Sequence, residues 1–362
     1  MKVRSDICYN INYTLVGKIL LVGIKGLNSF VKLEPEYADD AIAFIDKYKE
    51  NDIEPDKLSP MEARLFNNFN RIGYLDNGVK PKAAFNEFKR VGKLLFSIHP
   101  EKYAKLCGGN LKVKIALFIV SVIVMTLFIG VNSTYIPSQI DYVHMKLWEI
   151  IFTIVVFPVA VLAIHELGHC FIARCVDVEI DNVSLGWFFI YPLVLVQYLG
   201  LNLEKQSKKI MVMAGGIYFN LIMAFLGIVL KILFQEQVSG AVIDIWISAN
   251  ISTIITNLGL FGMTDGYFIV TTLIGIMDIR LKGYKYLNMI LNKNTANIGK
   301  DYRACGFLLL LLFLTSVGSV FVNLNYWLTL FGLSQNIFYV LFIFVVLVLV
   351  SRFLTRVKKV FA

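Results

Sequence analysis

The residues best suited to chemistry sit in one octet of an apolar stretch, Ala163-Ile164-His165-Glu166-Leu167-Gly168-His169-Cys170. Four residues of α-helix turn the chain by ~400° and advance it by ~6 Å, so His165 and His169 share one face. Two imidazoles at that spacing can bind one tetrahedral metal ion. Glu166 stands beside the first of them, where its carboxylate can reach a water on the metal without binding the metal itself. This His-Glu-x-x-His spacing is a zinc arrangement, and its chemistry is hydrolysis: the metal acidifies water and the glutamate takes the proton. In a chain with only four histidines, the pattern arises by chance in roughly one sequence in a thousand. A purely structural role would leave two histidines and a glutamate within five residues of a membrane-type segment, where ionisable groups are costly unless partnered.

A catalytic zinc takes three protein ligands and keeps a fourth position for water. The other histidines, His99 and His144, fall outside the apolar stretches, so the third ligand is sought among acids. Asp244 and Asp278 lie near the two ends of the apolar segment 241–277, where they can face water. Asp265 lies well inside it, in Gly259-Leu-Phe-Gly262-Met-Thr-Asp265-Gly266. Glycines permit an unwound backbone at membrane depth, provided it is buried in protein. Asp265 is therefore the expected third ligand, with a helix cap at a break as the alternative. One zinc ion per chain is the expected cofactor. Asn220 and Asn257 lie at similar depth, and amides there need partners. They could bond the freed backbone of the broken helix, orient a substrate carbonyl, or simply join two helices.

The elements that must position these residues are membrane spans. Hydrophobic residues make up 57% of the 362 and charged residues 17%, with a mean hydropathy of +0.66. Soluble domains run near ~25% charged, so disorder, a collagen-like chain and a small disulfide scaffold are excluded and a single soluble enzyme domain is disfavoured. The first 110 residues hold 31 charges and the other 252 hold 30. That split predicts a cytosolic domain over residues 1–110 and a transmembrane domain over 111–362, with the chemistry in 148–277. Apolar runs at 113–131, 148–173, 210–234, 241–277, 306–322 and 335–350 read as six spans. The fourth is too long for one crossing and reads as a broken helix. Lys and Arg cluster before the first span, between the second and third, after the fourth and in the tail. This alternation places both termini in the cytoplasm of a multi-pass cell-membrane protein. It also accounts for the net charge of +9 without nucleic acid, which is not an expected partner. The N-terminus shows no signal-peptide pattern, and the five cysteines, with no CxxC pair, suggest no disulfide framework.

Segment 177–204, with its β-branched and aromatic residues and partial alternation, reads as strand-like. A lipid-exposed open strand would leave backbone groups unpaired. Its partner could be an extended substrate added as a strand, or the segment could be an amphipathic hairpin on the membrane surface. HELGH in a membrane helix, then Gly216-x-x-x-Asn220 in the next span, then Asn257 and Asp265-Gly266 in a broken span, resembles the site-2 protease family of intramembrane zinc metalloproteases. The likeness covers about a third of the chain. It implies ligation by His165, His169 and Asp265, Glu166 as the catalytic base, and supporting or substrate-orienting roles for Asn220, Asn257, Gly216 and Gly266. Where that family often has proline, this chain has Ile217, Leu260 and Gly262.

Within 1–110, residues 18–24 and 30–33 read as strands and 34–50 as a helix. Ser59-Pro60-Met61-Glu62 starts a second helix in capping-box spacing, running to about residue 72. Residues 81–97 read as a third. Two strands and three helices suggest a winged-helix-like α+β module, vaguely resembling the leader-binding domains of peptide-maturation enzymes. A cap without a ligand, or a DNA-binding module, are the other readings. The expected whole is a mainly α polytopic membrane zinc endopeptidase acting on a peptide precursor or membrane-anchored substrate. The rival is a non-catalytic peptide exporter or immunity protein on the same scaffold.

Overall fold

The computed structural model describes all residues except 15–16, 28, 34, 80, 82–92, 99–107, 141–143, 189–190, 235–239, 260–263, 277–278, 293–298 and 360–362. His99 and Asp278 therefore lie outside the described residues, as does most of the helix expected at 81–97. The described chain forms two compact units, residues 1–108 with 170–212, and residues 109–169 with 213–362.

In the first unit, strands β1 (Ile7–Thr14), β2 (Gly17–Ile24) and β3 (Ser29–Leu33) form an antiparallel meander. Helix α1 (Pro35–Glu50) buries Ala38, Ala41, Phe44 and Ile45 against Leu20 and Val22 of β2, with Leu65 and Phe69 of α2 (Pro60–Ile72) closing the core. The anticipated capping box is present: Ser59 Oγ accepts from Glu62 N at 3.2 Å, and Glu62 Oε2 accepts from Ser59 N at 2.9 Å. Two expectations need correction. Among the described residues this sheet has three strands; β1, with asparagines at 10 and 12, lacks the apolar pattern by which the other two are legible. Residues Lys93–Ile98, read as the end of a helix, form strand β4. Its backbone pairs with β5 (Glu179–Phe188), which pairs in turn with β6 (Tyr191–Leu199). Segment 177–204 is thus a hairpin, and a strand of the same chain covers one edge of it. The end of that hairpin is tied to the first sheet. Glu204 carboxylate oxygens meet Lys25 and Lys208, while Asn10 Nδ2 donates to the Glu204 carbonyl at 2.6 Å.

The second unit is helical. Among the described residues, six helices are long and apolar enough to cross a membrane: α3 (Leu111–Val131), α5 (Phe157–Cys175), whose last residues belong to the first unit, α6 (Gln206–Leu233), whose first residues do, α7 (Gly240–Leu258), most of α10 (Lys300–Leu330) and α11 (Gln335–Lys359). Helix α5 is preceded by the short α4 (Leu147–Ile151) and a π-helical turn, Phe152–Val156. The fourth apolar segment is broken as expected. After α7 the chain resumes in α8 (Asp265–Ile274), whose N-cap Thr264 accepts from Tyr267 N and donates to the Gly259 carbonyl. The basic loop expected next contains a helix, α9 (Ile279–Leu291), which buries Ile279 and Tyr284 in the cores shared with α10 and α11. Helix α10 outruns the reading 306–322 because its polar second half has partners on α7. Asn323 Oδ1 accepts from Ser252 Oγ at 2.6 Å, Trp327 Nε1 donates to Ser252 Oγ at 2.8 Å, and Tyr326 bonds Ser248 Oγ at 2.9 Å.

Candidate metal centre

Apolar α5 can hold two imidazoles at membrane depth only because neighbouring helices supply partners. His165 and His169 are buried, exposed by 4% and 6%, and their Nε2 atoms lie 3.3 Å apart. Asp265, the first residue of α8, brings Oδ2 to 3.0 Å from His165 Nε2 and 3.3 Å from His169 Nε2. Three donor atoms on a triangle of these sides match one face of a tetrahedron around zinc, where bonds of about 2.0 Å put neighbouring ligand atoms roughly 3.3 Å apart. Asp265 Oδ2 is buried and has no hydrogen-bond partner among the described residues, although it lies at ion-pair distance from both rings. A buried carboxylate oxygen left so is costly unless a cation meets it. His165, His169 and Asp265 form a group able to hold a metal ion, and the donor set of two imidazoles and a carboxylate fits zinc.

Glycines make this convergence possible. Helices α5 and α6 cross at Gly168 and Gly215, where a Cβ on Gly168 would lie 2.4 Å from the Gly215 carbonyl oxygen. One residue further, a Cβ on Gly216 would lie 2.5 Å from His165 Cε1 and Nε2 and 2.6 Å from His169 Nε2. Gly266 lets the start of α8 press on the end of α7: a Cβ there would meet the Asn257 carbonyl oxygen at 2.7 Å.

One turn along α6 from Gly216, Asn220 is fully buried and its Oδ1 lies 2.6 Å from His165 Nδ1. Its Nδ2 donates to Asn250 Oδ1 at 2.9 Å, and Asn250 Nδ2 donates to the Trp246 carbonyl at 2.9 Å. Asn257 turns instead to its own helix, donating to the Thr253 carbonyl at 3.1 Å. Glu166 follows His165 on α5 and interacts electrostatically with both histidines and Asp265. Asp244, expected to face water, pairs with Lys231 of α6, and His144 is exposed. Asn250 was not singled out from the sequence. Its signal was the one that drew attention to Asn220, an amide in mid-span, in Ser248-Ala249-Asn250 of the fourth apolar segment.

A buried His-His-carboxylate group beside a glutamate, among helices long and apolar enough to cross a membrane, marks a candidate metal site in a multi-pass membrane protein. The family model of peptidase family M50 matches residues 151–351, which carry all of these groups. The chain belongs to peptidase family M50, the site-2 protease family of membrane zinc metalloproteases. No curated protein and no solved structure matches the chain.

Proposed function

We propose that the chain is an endopeptidase embedded in the membrane, hydrolysing a peptide bond of a peptide precursor or of a membrane-anchored protein. The observation that carries this reading is the triangle of His165 Nε2, His169 Nε2 and Asp265 Oδ2, with Glu166 adjacent. These three residues would hold one zinc ion. Bound there, zinc supplies Lewis acidity, polarising a carbonyl oxygen and making water acidic enough to lose a proton near neutral pH. Glu166 accepts the proton of the attacking water and returns it to the leaving amine nitrogen. Asn220 holds the His165 ring through Nδ1, and Gly216 keeps the space beside both rings free of a side chain. The chemistry belongs to residues 111–362, with its core in 148–277. Residues 1–110 form the cytosolic domain, and both termini face the cytoplasm.

Glu166→Ala tests the reading. The purified variant should keep one zinc per chain and should trap substrate in cross-linking from membranes. On the trapped substrate, the wild type should exceed the variant by at least 10²–10⁴-fold, the usual contribution of a general base. Normal turnover by the variant would overturn the assignment.

A further inference from the structure

The relay behind His165 has a direction, and one group sets it. A side-chain amide can present either its oxygen or its nitrogen to a neighbour, and an imidazole can carry its proton on either nitrogen. A backbone carbonyl has no such freedom, because it only accepts. The Trp246 carbonyl of α7 lies 2.9 Å from the Asn250 amide, so the group facing it must be Nδ2, and Asn250 Oδ1 must face outward. That oxygen lies 2.9 Å from Asn220, which must therefore turn Nδ2 towards it. Asn220 Oδ1 is then left facing His165 Nδ1 at 2.6 Å. An oxygen acceptor at that distance requires Nδ1 to carry the proton. The lone pair of His165 is thereby confined to Nε2, the nitrogen that faces His169 and Asp265. Both amides are fully buried, so water cannot substitute for a missing partner.

We propose that Asn250 is a positioning residue: by fixing the orientation of the Asn220 amide, it holds His165 in the tautomer that offers Nε2 to the metal. It touches neither metal nor substrate and acts through two hydrogen bonds in series. The proposal rests on the zinc reading above. Loss of such an outer partner weakens metal binding by roughly 10–100-fold in well-studied sites. With Asn250 Oδ1 gone, Asn220 is free to flip, and both tautomers of His165 become populated.

The test uses the full-length protein in lipid bilayers, with two readouts. Zinc affinity is measured by competition with a chelator. The tautomer is read by ¹⁵N NMR of histidine-labelled, zinc-free protein, with His165 identified by its loss in His165→Ala. Asn250→Leu, close in shape but without an acceptor, should weaken zinc binding by roughly 10–100-fold and give His165 a mixed tautomer signal. Asn250→Asp, protonated in so apolar a site, donates its O–H to the Trp246 carbonyl and keeps an acceptor for Asn220, so it should retain both the affinity and the Nδ1–H signal. A merely structural role would not produce that rescue. The proposal is overturned if Asn250→Leu binds zinc like the wild type with Nδ1 still protonated, or if Asn250→Asp is as damaged as Asn250→Leu. It is also overturned, whatever the variants do, if the wild type carries its His165 proton on Nε2. Failure of the zinc reading looks different: the wild type would bind no zinc, or would bind it undiminished after His165→Ala.

Discussion

Ser59 and Glu62 at the start of α2, and His165 and Asn220 between α5 and α6, are both pairs of polar groups that satisfy one another. The first pair stands at the surface of the N-terminal unit. Water would solvate each member if the other were removed, and the box contributes on the order of 1 kcal/mol to the helix it starts. The second pair is sealed among apolar helices, and Asn220 has a further partner behind it, in a series that ends at a main-chain carbonyl. There water is not a substitute, and an orphaned group keeps its full desolvation cost. Hydrogen bonds of similar length therefore play different parts. At the surface they adjust stability locally, and within the spans they decide which atoms face one another.

Substitutions that remove or crowd a buried partner should therefore reach the metal centre, and surface ones should not. The largest effect is expected from Asp265→Ala, which leaves two imidazoles facing an empty corner. Zinc affinity should fall by more than the roughly 10–100-fold typical of an outer partner. Asn257→Ala, a few residues away and, among the described residues, bonded to its own helix, should keep the metal. Metal analysis of both purified proteins, with circular dichroism to confirm folding, makes the comparison. Full zinc occupancy in folded Asp265→Ala would show that another residue completes the site.

Gly216→Ala comes next, because its methyl group would overlap both imidazoles at 2.5–2.6 Å. Overpacking of this kind costs about 1–3 kcal/mol. It should appear as weaker zinc binding in an otherwise intact helical protein, and unchanged affinity would contradict the close approach of α6 to the rings. Ser59→Ala should cost about 1 kcal/mol locally, read as faster hydrogen exchange in Pro60–Ile72, with zinc affinity untouched.

The smallest effect is one of pH. The Lys47 ammonium and the Ser59 backbone N–H hold the Glu62 carboxyl at about 2, below its ordinary 4.5. A depressed carboxyl contributes stability that is complete above about 4.5 and fades as pH falls towards about 2. Protection of α2 should decline over that window in the wild type, after correction for intrinsic exchange, and decline less in Glu62→Gln. An identical profile in both would remove Glu62 from the account.

The sequence is most readable where one physical demand dominates. Lipid requires long apolar helices, so all six spans could be located, including the break in the fourth. The octet around His165 and the aspartate in that break were visible for the same reason, since ionisable groups are rare at such depth. Legibility declines where demands mix. Strand β1 alternates poorly because Asn10 reaches for the Glu204 carbonyl instead of conforming to a two-faced pattern. Helix α9 was hidden by basic residues that read as loop, although Ile279 and Tyr284 are buried. Strand β4 followed a helical pattern on paper and owes its conformation to the hairpin edge it pairs with, a partner some ninety residues away. Asn250 was missed because its importance lies in what stands between it and His165.

The shortness of α8 bears on how the molecule is assembled. Ten residues of helix reach about 15 Å, half the thickness of a bilayer's hydrocarbon core. Such a segment cannot cross by itself during synthesis, and its place depends on the protein around it. Part of that protein is made later: Ser319 of α10 donates to the Ile255 carbonyl at 3.0 Å and lies against Gly259, just where α7 ends. This support for the end of α7 exists only after residue 319 has been made. A nascent chain holds its two imidazoles well before it holds the third group, and a half-made protein lacks the complete set of donors.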